Sequence, residues 1–217
     1  MKKAQPKYLA AALGLLTAFV LWTIAVLHVD VQQIGPLNSA VGFAGINAVF
    51  HRLTGVHWFL YYLTDLMGLF PIAIAFGFAL LGLCQWIRRR HLFQVDPSLF
   101  ILGGFYLTTI ALYIFFEKVP VNFRPVLVDG YLEASYPSST TLLVLCVIPT
   151  AIHQLNRRIK KKALRKMTEA LLSAFMLFTV IGRILSGVHW LSDIVGGMLG
   201  SAGLVMLYRY FICRTEK

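Results

Sequence analysis

The sequence predicts an all-α integral membrane protein with six transmembrane helices, and three observations carry that reading. Hydrophobic residues make up 58% of the 217 and charged residues only 13%, where a water-soluble domain carries roughly 25% charged residues. Mean hydropathy is +0.73. A chain of this size cannot cover so much apolar surface with polar groups, and the same composition excludes a disordered chain. Six separate runs are long enough, at roughly 20 apolar residues, to cross the hydrocarbon of a bilayer. The Lys and Arg residues fall almost entirely between alternate runs.

The first run, about 9–27, has a basic start but no small-residue cleavage site, and reads as a retained anchor helix rather than a signal peptide. The second is about 66–87, with a start nearer Phe59 also compatible, and the third about 98–116. The fourth, about 138–153, carries Pro149 near its far end; the fifth is about 168–185. The sixth, about 190–212, places Gly196, Gly197, Gly200, Ser201 and Gly203 along its length, the small residues that let membrane helices approach closely. Two longer connections, about 28–58 and 117–137, are punctuated by Pro36, Gly55, Pro120, Pro125, Gly130 and Pro137. The first has room for an interfacial helix, with Phe43, Val49 and Phe50 beside Asn47 and His51. Trp58, Tyr61 and Tyr62 fit an interfacial aromatic belt, and Asp65 belongs at that boundary rather than at the bilayer centre. The whole chain, 1–217, reads as one domain. The tetrapeptide Gly-Val-His-Trp occurs at 55–58 and again at 187–190, which by itself reads as coincidence.

The net charge is +11, from 20 Lys plus Arg against 9 Asp plus Glu. If six helices alternate, sixteen of those 20 cations fall on one side. They are Lys2, Lys3, Lys7, Arg88–Arg90, the cations of the stretch 157–166, and Arg209, Arg214 and Lys217. Arg52, Lys118, Arg124 and Arg183 remain on the other side. This is the positive-inside pattern, with both termini cytoplasmic. The stretch Arg-Arg-Ile-Lys-Lys-Lys-Ala-Leu-Arg-Lys therefore reads as a topology determinant that meets anionic headgroups, not as a nucleic-acid site. Cys84, Cys146 and Cys213 are scattered in or beside apolar runs, with neither a disulfide framework nor metal-ligand spacing.

Three stretches on the cation-poor side carry candidate chemistry. In Gly182–Asp193, His189 and Asp193 are four apart and share a face of the sixth helix's first turn. A carboxylate so placed can bond one imidazole nitrogen and leave the other free as a nucleophile or base. Arg183 lies close in sequence, and an anion, most simply a phosphate, would reconcile a guanidinium with the imidazole. In isolation the same pair reads instead as a core histidine in an interfacial salt bridge. Tyr136–Thr140 opens the fourth helix, where Ser138, Ser139 and Thr140 offer hydroxyls and free N–H groups at the positive end of the helix dipole, or simply a serine cap. The stretch 117–125 adds Lys118 and Arg124 in a proline-stiffened loop. Taken together, the three stretches collect nearly all the cations of one membrane face.

These stretches resemble the three motifs of the type 2 phosphatidic-acid phosphatase superfamily, the integral-membrane lipid phosphatases. That pattern is a lysine, six residues, then Arg-Pro; Pro-Ser-Gly-His; and Ser-Arg, three residues, Gly, one residue, His, three residues, Asp. Arg183, Gly187, His189 and Asp193 are in register with the third motif, with Gly182 where serine is usual. Lys118 precedes Arg124 by five intervening residues instead of six, Ser139 stands where glycine is usual, and Thr140 stands where the family has its second histidine. The resemblance implies that His189 attacks phosphorus and forms a phosphohistidine, that Asp193 orients it, and that Lys118, Arg124 and Arg183, with Ser138, Ser139, Thr140 and nearby N–H groups, hold the phosphoryl oxygens. It implies no cofactor and no metal.

The expected function is hydrolysis of an amphiphilic phosphate ester or diphosphate at the outer leaflet of a cell membrane. A polyprenyl diphosphate is favoured, because the position of the leaving-group acid is held by Thr140. Phosphatidate-like and phosphatidylglycerophosphate lipids remain open, as does phosphoryl transfer to another acceptor. The rival from another class is a phospholipid-binding or transport protein on the same scaffold. Against it, transporters place polar or broken segments at the midplane, whereas the ionisable residues here gather at the ends of the runs. Glu133, Tyr136, His51 and His57 are the side chains available to replace the missing acid.

Overall fold

The computed structural model describes residues 6–215, and its helices follow the six expected spans with longer ends. Helix α1 is Pro6–His28, α2 Ala44–Thr54, α3 Trp58–Met67, α4 Leu69–Arg89, α5 Pro97–Lys118, α6 Ser139–Arg158, α7 Lys162–Ser186 and α8 Leu191–Thr215. Six stretches are long and apolar enough to cross a membrane, with α3 and α4 acting as one 32-residue span, Trp58–Arg89. At ~1.5 Å per residue that span is about 48 Å long, well over the ~30 Å hydrocarbon thickness. Its first turns, α3, reach the site through Tyr61, Thr64 and Asp65. Of the two starts compatible with the sequence, the one nearer Phe59 is found, the helix beginning at Trp58. Lys2, Lys3 and Lys217 of the charge pattern lie outside the described residues.

Each boundary has a local cause. Asp96 caps α5, its carboxylate accepting from Ser98 N at 2.9 Å, with Pro97 in the first turn. Gly187, at φ +65°, closes α7 in the left-handed region. No side chain there is tolerated, since a Cβ would lie 1.7 Å from the carbonyl oxygen of Gly55. The basic stretch between α6 and α7 is mostly helical: α6 runs to Arg158 and α7 starts at Lys162, so the connection is far shorter than a loop of ten residues.

Helix α8 packs against α1, α5 and α6, and α7 packs against α3 and α6. The small residues of α8 explain the close approach: a Cβ at Gly203 would sit 2.8 Å from Leu16, and one at Gly196 2.5 Å from the Tyr136 ring. The main apolar core joins Phe105, Leu142, Cys146, Leu204 and Tyr208 of α5, α6 and α8.

At one end of the bundle stand the ends of α5 and α7 and the starts of α3, α6 and α8. The basic residues 88–90 and 157–166 lie at the other end, where α4 and α6 stop and α7 begins. The first connection, where an interfacial helix was expected, does contain a helix, α2. It buries Asn47 and exposes Ile46, Val49 and Leu53.

The connection from α5 to α6 folds as an irregular hairpin. Val128 and Tyr131 pair across Asp129-Gly130, both at positive φ, the two-residue turn that matches strand twist. Between that turn and the site the register shifts by two residues, so that Phe123 pairs with Ala134, Arg124 N donates to Glu133 O at 3.0 Å and Ser135 N to Asn122 O at 2.8 Å. Asn122 and Ser135 are thereby held side by side.

Candidate active site

His189 lies in the short link between α7 and α8, just before the helix rather than on its first turn. Asp193 is on that turn. Its carboxylate accepts from the backbone N–H of Trp190 at 3.1 Å, while Asp193 N donates to Trp190 O at 3.1 Å. This reciprocal cap fixes the carboxylate at the start of α8. Asn122 Nδ2 donates to it at 3.0 Å and Ser135 Oγ at 2.6 Å. Asp193 is fully buried, and these donors offset the cost of burying a carboxylate. The anticipated carboxylate–imidazole bond takes a different form. The hydrogen-bonded path runs from Asp193 Oδ2 through Ser135 Oγ to His189 Nδ1, the second step being 2.9 Å.

The other ring nitrogen points at two arginines. Arg124 Nη1 lies 3.3 Å and Arg183 Nη2 3.2 Å from His189 Nε2. Guanidinium has donors only, so Nε2 is the acceptor and carries the lone pair. Burial, then the charges of Arg124 and Arg183, hold the His189 pKa well below 6.5. The imidazole is neutral at neutral pH.

Arg183 is completely buried and Arg124 nearly so. Tyr61 sits between them, its ring centroid 5.5 Å from the Arg124 guanidinium carbon and 4.9 Å from that of Arg183. A ring face attracts a cation by about 0.5–2 kcal/mol and here meets two that repel each other. Arg183 Nη1 also donates to Tyr61 O and Thr64 Oγ1, and Nη2 lies 3.5 Å from Asp65 Oδ1. Arg124 Nε pairs with Glu133 at 3.0 Å. The buried Arg183 Nε–H has no hydrogen-bond acceptor, which leaves a donor available to an anion. Gly182 has its own reason: a Cβ there would meet Thr64 Cγ2 at 2.6 Å.

A polar cavity of about 240 Å³ opens onto His189 and Arg124, lined also by Glu117, Glu133, Ser135 and Ser139. A second, mostly apolar cavity of about 500 Å³ runs between α4, α5 and α6. The two share Tyr113, Ser139 and Leu142, so they meet at the first turn of α6.

Of the residues singled out by sequence, His189, Asp193, Arg183 and Arg124 converge, and Ser139 borders both cavities. Ser138 caps α6 and is buried, its Oγ 3.0 Å from Thr141 Oγ1. Thr140 lines only the apolar cavity. Lys118 is exposed at the end of α5 and lines neither cavity, whereas its neighbour Glu117 lines the polar one. Tyr136 turns its hydroxyl to Thr23 at 2.7 Å, and burial raises its pKa. The His51 ring lies against that of Trp190, tilted by 59°, and His57 Nε2 contacts Thr54 O. Sequence reading missed Ser135, Asn122 and Tyr61 as members of the site. Ser135 and Asn122 sit one or two residues from motif positions, but only the hairpin register shows that they meet. Among the described residues no group of three or more His, Cys, Asp or Glu side chains could hold a metal ion.

Residues 73–216 match the family model described as the PAP2 superfamily. The fold resembles the crystal structure described as the first transmembrane PAP2 type phosphatidylglycerolphosphate phosphatase from Bacillus subtilis, with a TM-score of 0.62 and 15% identity over 94% of this chain and 96% of that one. No protein of curated function matches the sequence.

Proposed function

The chain belongs to the PAP2 superfamily, and from that premise we propose that it hydrolyses the phosphate ester or diphosphate of a membrane lipid through a phosphohistidine. The observation that carries the reading is the neutral Nε2 of His189 facing two buried guanidiniums beside a polar cavity. Arg124 and Arg183 bind the phosphoryl oxygens, Nε2 attacks phosphorus, and the bond to the leaving oxygen breaks. Water then attacks the phosphohistidine, inorganic phosphate departs and Nε2 regains its lone pair. The two arginines stabilise the charge that develops at the transferring group. Ser139 and the first N–H groups of α6 assist, since a helix start favours anions. No metal takes part. The apolar cavity meeting the polar one supports an amphiphile, its chain along α4 and α5 and its headgroup at His189.

A diphosphate is the preferred substrate. Its leaving group is a phosphate monoester, which departs as a stable anion, whereas an alkoxide needs a proton. Threonine at 140 is far too weak an acid to supply one. The second reading is a lipid monophosphate. It is favoured by the fold neighbour, itself a phosphatidylglycerolphosphate phosphatase; Glu133 lines the polar cavity but is paired with Arg124 Nε at 3.0 Å, and must leave that pair to deliver a proton. The positive-inside rule puts the basic end of the bundle in the cytoplasm and the site at the extracytoplasmic surface. Phosphate release by the purified protein over a panel of lipid mono- and diphosphates tests the reading. Turnover that is lost in His189→Gln supports it, and no turnover of any member overturns it in favour of a binding protein.

A further inference from the structure

We propose that Ser135 is a positioning residue whose hydroxyl relays Asp193 to His189 and thereby sets which ring nitrogen is the nucleophile; this rests on the phosphohistidine reading above. A serine hydroxyl has one proton to give and lone pairs to receive. Its 2.6 Å contact to Asp193 Oδ2 is the length of a charge-assisted O–H···O⁻ bond, so the proton is directed at the carboxylate. The lone pair at 2.9 Å must then accept from Nδ1 of His189. The far side of the ring gives the same answer independently: two guanidinium donors converge on Nε2, which can only accept. Both constraints select the neutral ring with its proton on Nδ1.

The relay is built in, not incidental. Ser135 is 2% exposed, and its backbone is held by the hairpin through its bond to Asn122 O. The Asn122 amide donates to the same carboxylate from the other side, at Oδ1. Asp193 is thus fixed from three directions, leaving Oδ2 to the hydroxyl and to Trp190 N. When Nε2 bonds to phosphorus, the ring becomes cationic. The Nδ1–H···Oγ–H···Oδ2 chain then spreads that charge toward Asp193 without any proton having to leave the chain.

Two measurements test this, one of them independent of turnover. With ring-¹⁵N-labelled histidine, the signal missing from His189→Gln identifies His189. The relay predicts a protonated, pyrrole-type Nδ1 and a bare, pyridine-type Nε2 in the native protein. In Ser135→Ala the two arginines still hold Nε2 bare, and the relay predicts instead a shifted Nδ1 signal, because that N–H has lost its acceptor. In turnover, Ser135→Ala lowers kcat by ~100-fold or more with KM changed by less than about threefold, because the arginines that bind phosphate are untouched. Ser135→Thr, which keeps the hydroxyl, recovers most of kcat. A proton on Nε2 in the native protein, or native kcat in Ser135→Ala, overturns the relay. Failure of the native protein to turn over any lipid phosphate overturns the hydrolase reading instead, and the nitrogen signals still decide the tautomer.

Discussion

The tetrapeptide Gly-Val-His-Trp occurs twice, and the two copies have different fates. In both, the glycine adopts positive φ, +66° at Gly55 and +65° at Gly187, and a helix begins at or just after the tryptophan. The copies lie against one another. His57 N donates to Ser186 O, and Val56 packs with the cluster that holds Val188. Yet His189 is 4% exposed among Arg124, Arg183 and Ser135, while His57 is exposed and bonds its own loop at Thr54 O. Trp190 is buried with its Nε1 on Phe123 O, and Trp58 is 40% exposed. Identical local sequence gives the same positive φ at the glycine and a helix close behind it, but not the same turn: ψ is −162° at Gly55 and 12° at Gly187, and the second helix starts one residue later. The chemistry comes from what the rest of the chain brings to one copy and withholds from the other.

The largest test of that contrast substitutes each histidine in turn. His189→Gln should reduce phosphate release to background, whereas His57→Gln should stay within about twofold of native, as expected of an exposed side chain outside the site. Activity surviving in His189→Gln would dissolve the distinction between the copies.

The next test removes what surrounds only one copy. Arg183→Ala takes away a donor to the transferring group and should cost ~100–1000-fold in kcat. Its partial counterpart, Asp65, is over half exposed, so the loss measures the guanidinium more than the ion pair.

A third substitution sharpens the account of the leaving group. Thr140→His restores the family's usual residue on the first turn of α6 and should raise monophosphate hydrolysis by about 100-fold, with little change for a diphosphate. Equal and fast cleavage of both by the native protein would mean that another side chain, Glu133 first, already provides the proton.

The smallest effect is expected at Lys118. Being exposed and outside both cavities, it acts on substrate only through screened attraction, and Lys118→Ala should change kcat/KM by less than about tenfold. A loss as large as that of Arg183→Ala would mean that the lysine enters the site when substrate binds.

The six spans were legible because hydrocarbon demands long apolar runs and leaves few alternatives. Helix ends were less so: Arg157, Arg158, Lys162, Arg165 and Lys166 read as loop by charge, but α6 and α7 extend through them. Arg183, His189 and Asp193 were legible because their spacing is local in sequence, and Arg124, 65 positions from His189, only through the motif it resembles. Ser135, Asn122 and Tyr61 were not, since each is an ordinary polar or aromatic residue until tertiary contacts over 54 or more positions bring it to the site. The significance of Gly182 was equally hidden, because the methyl group it makes way for belongs to Thr64 on another helix.

The most direct test of the central claim is to trap the covalent intermediate. The purified protein is mixed rapidly with a lipid diphosphate labelled at its terminal phosphate, quenched in alkali, digested and mapped by mass spectrometry. The account predicts an acid-labile, alkali-stable phosphoryl group on His189, absent from His189→Gln. Label on His57 or on any other side chain, or turnover with no phosphoprotein at any time point together with direct transfer of phosphate to water, would contradict it.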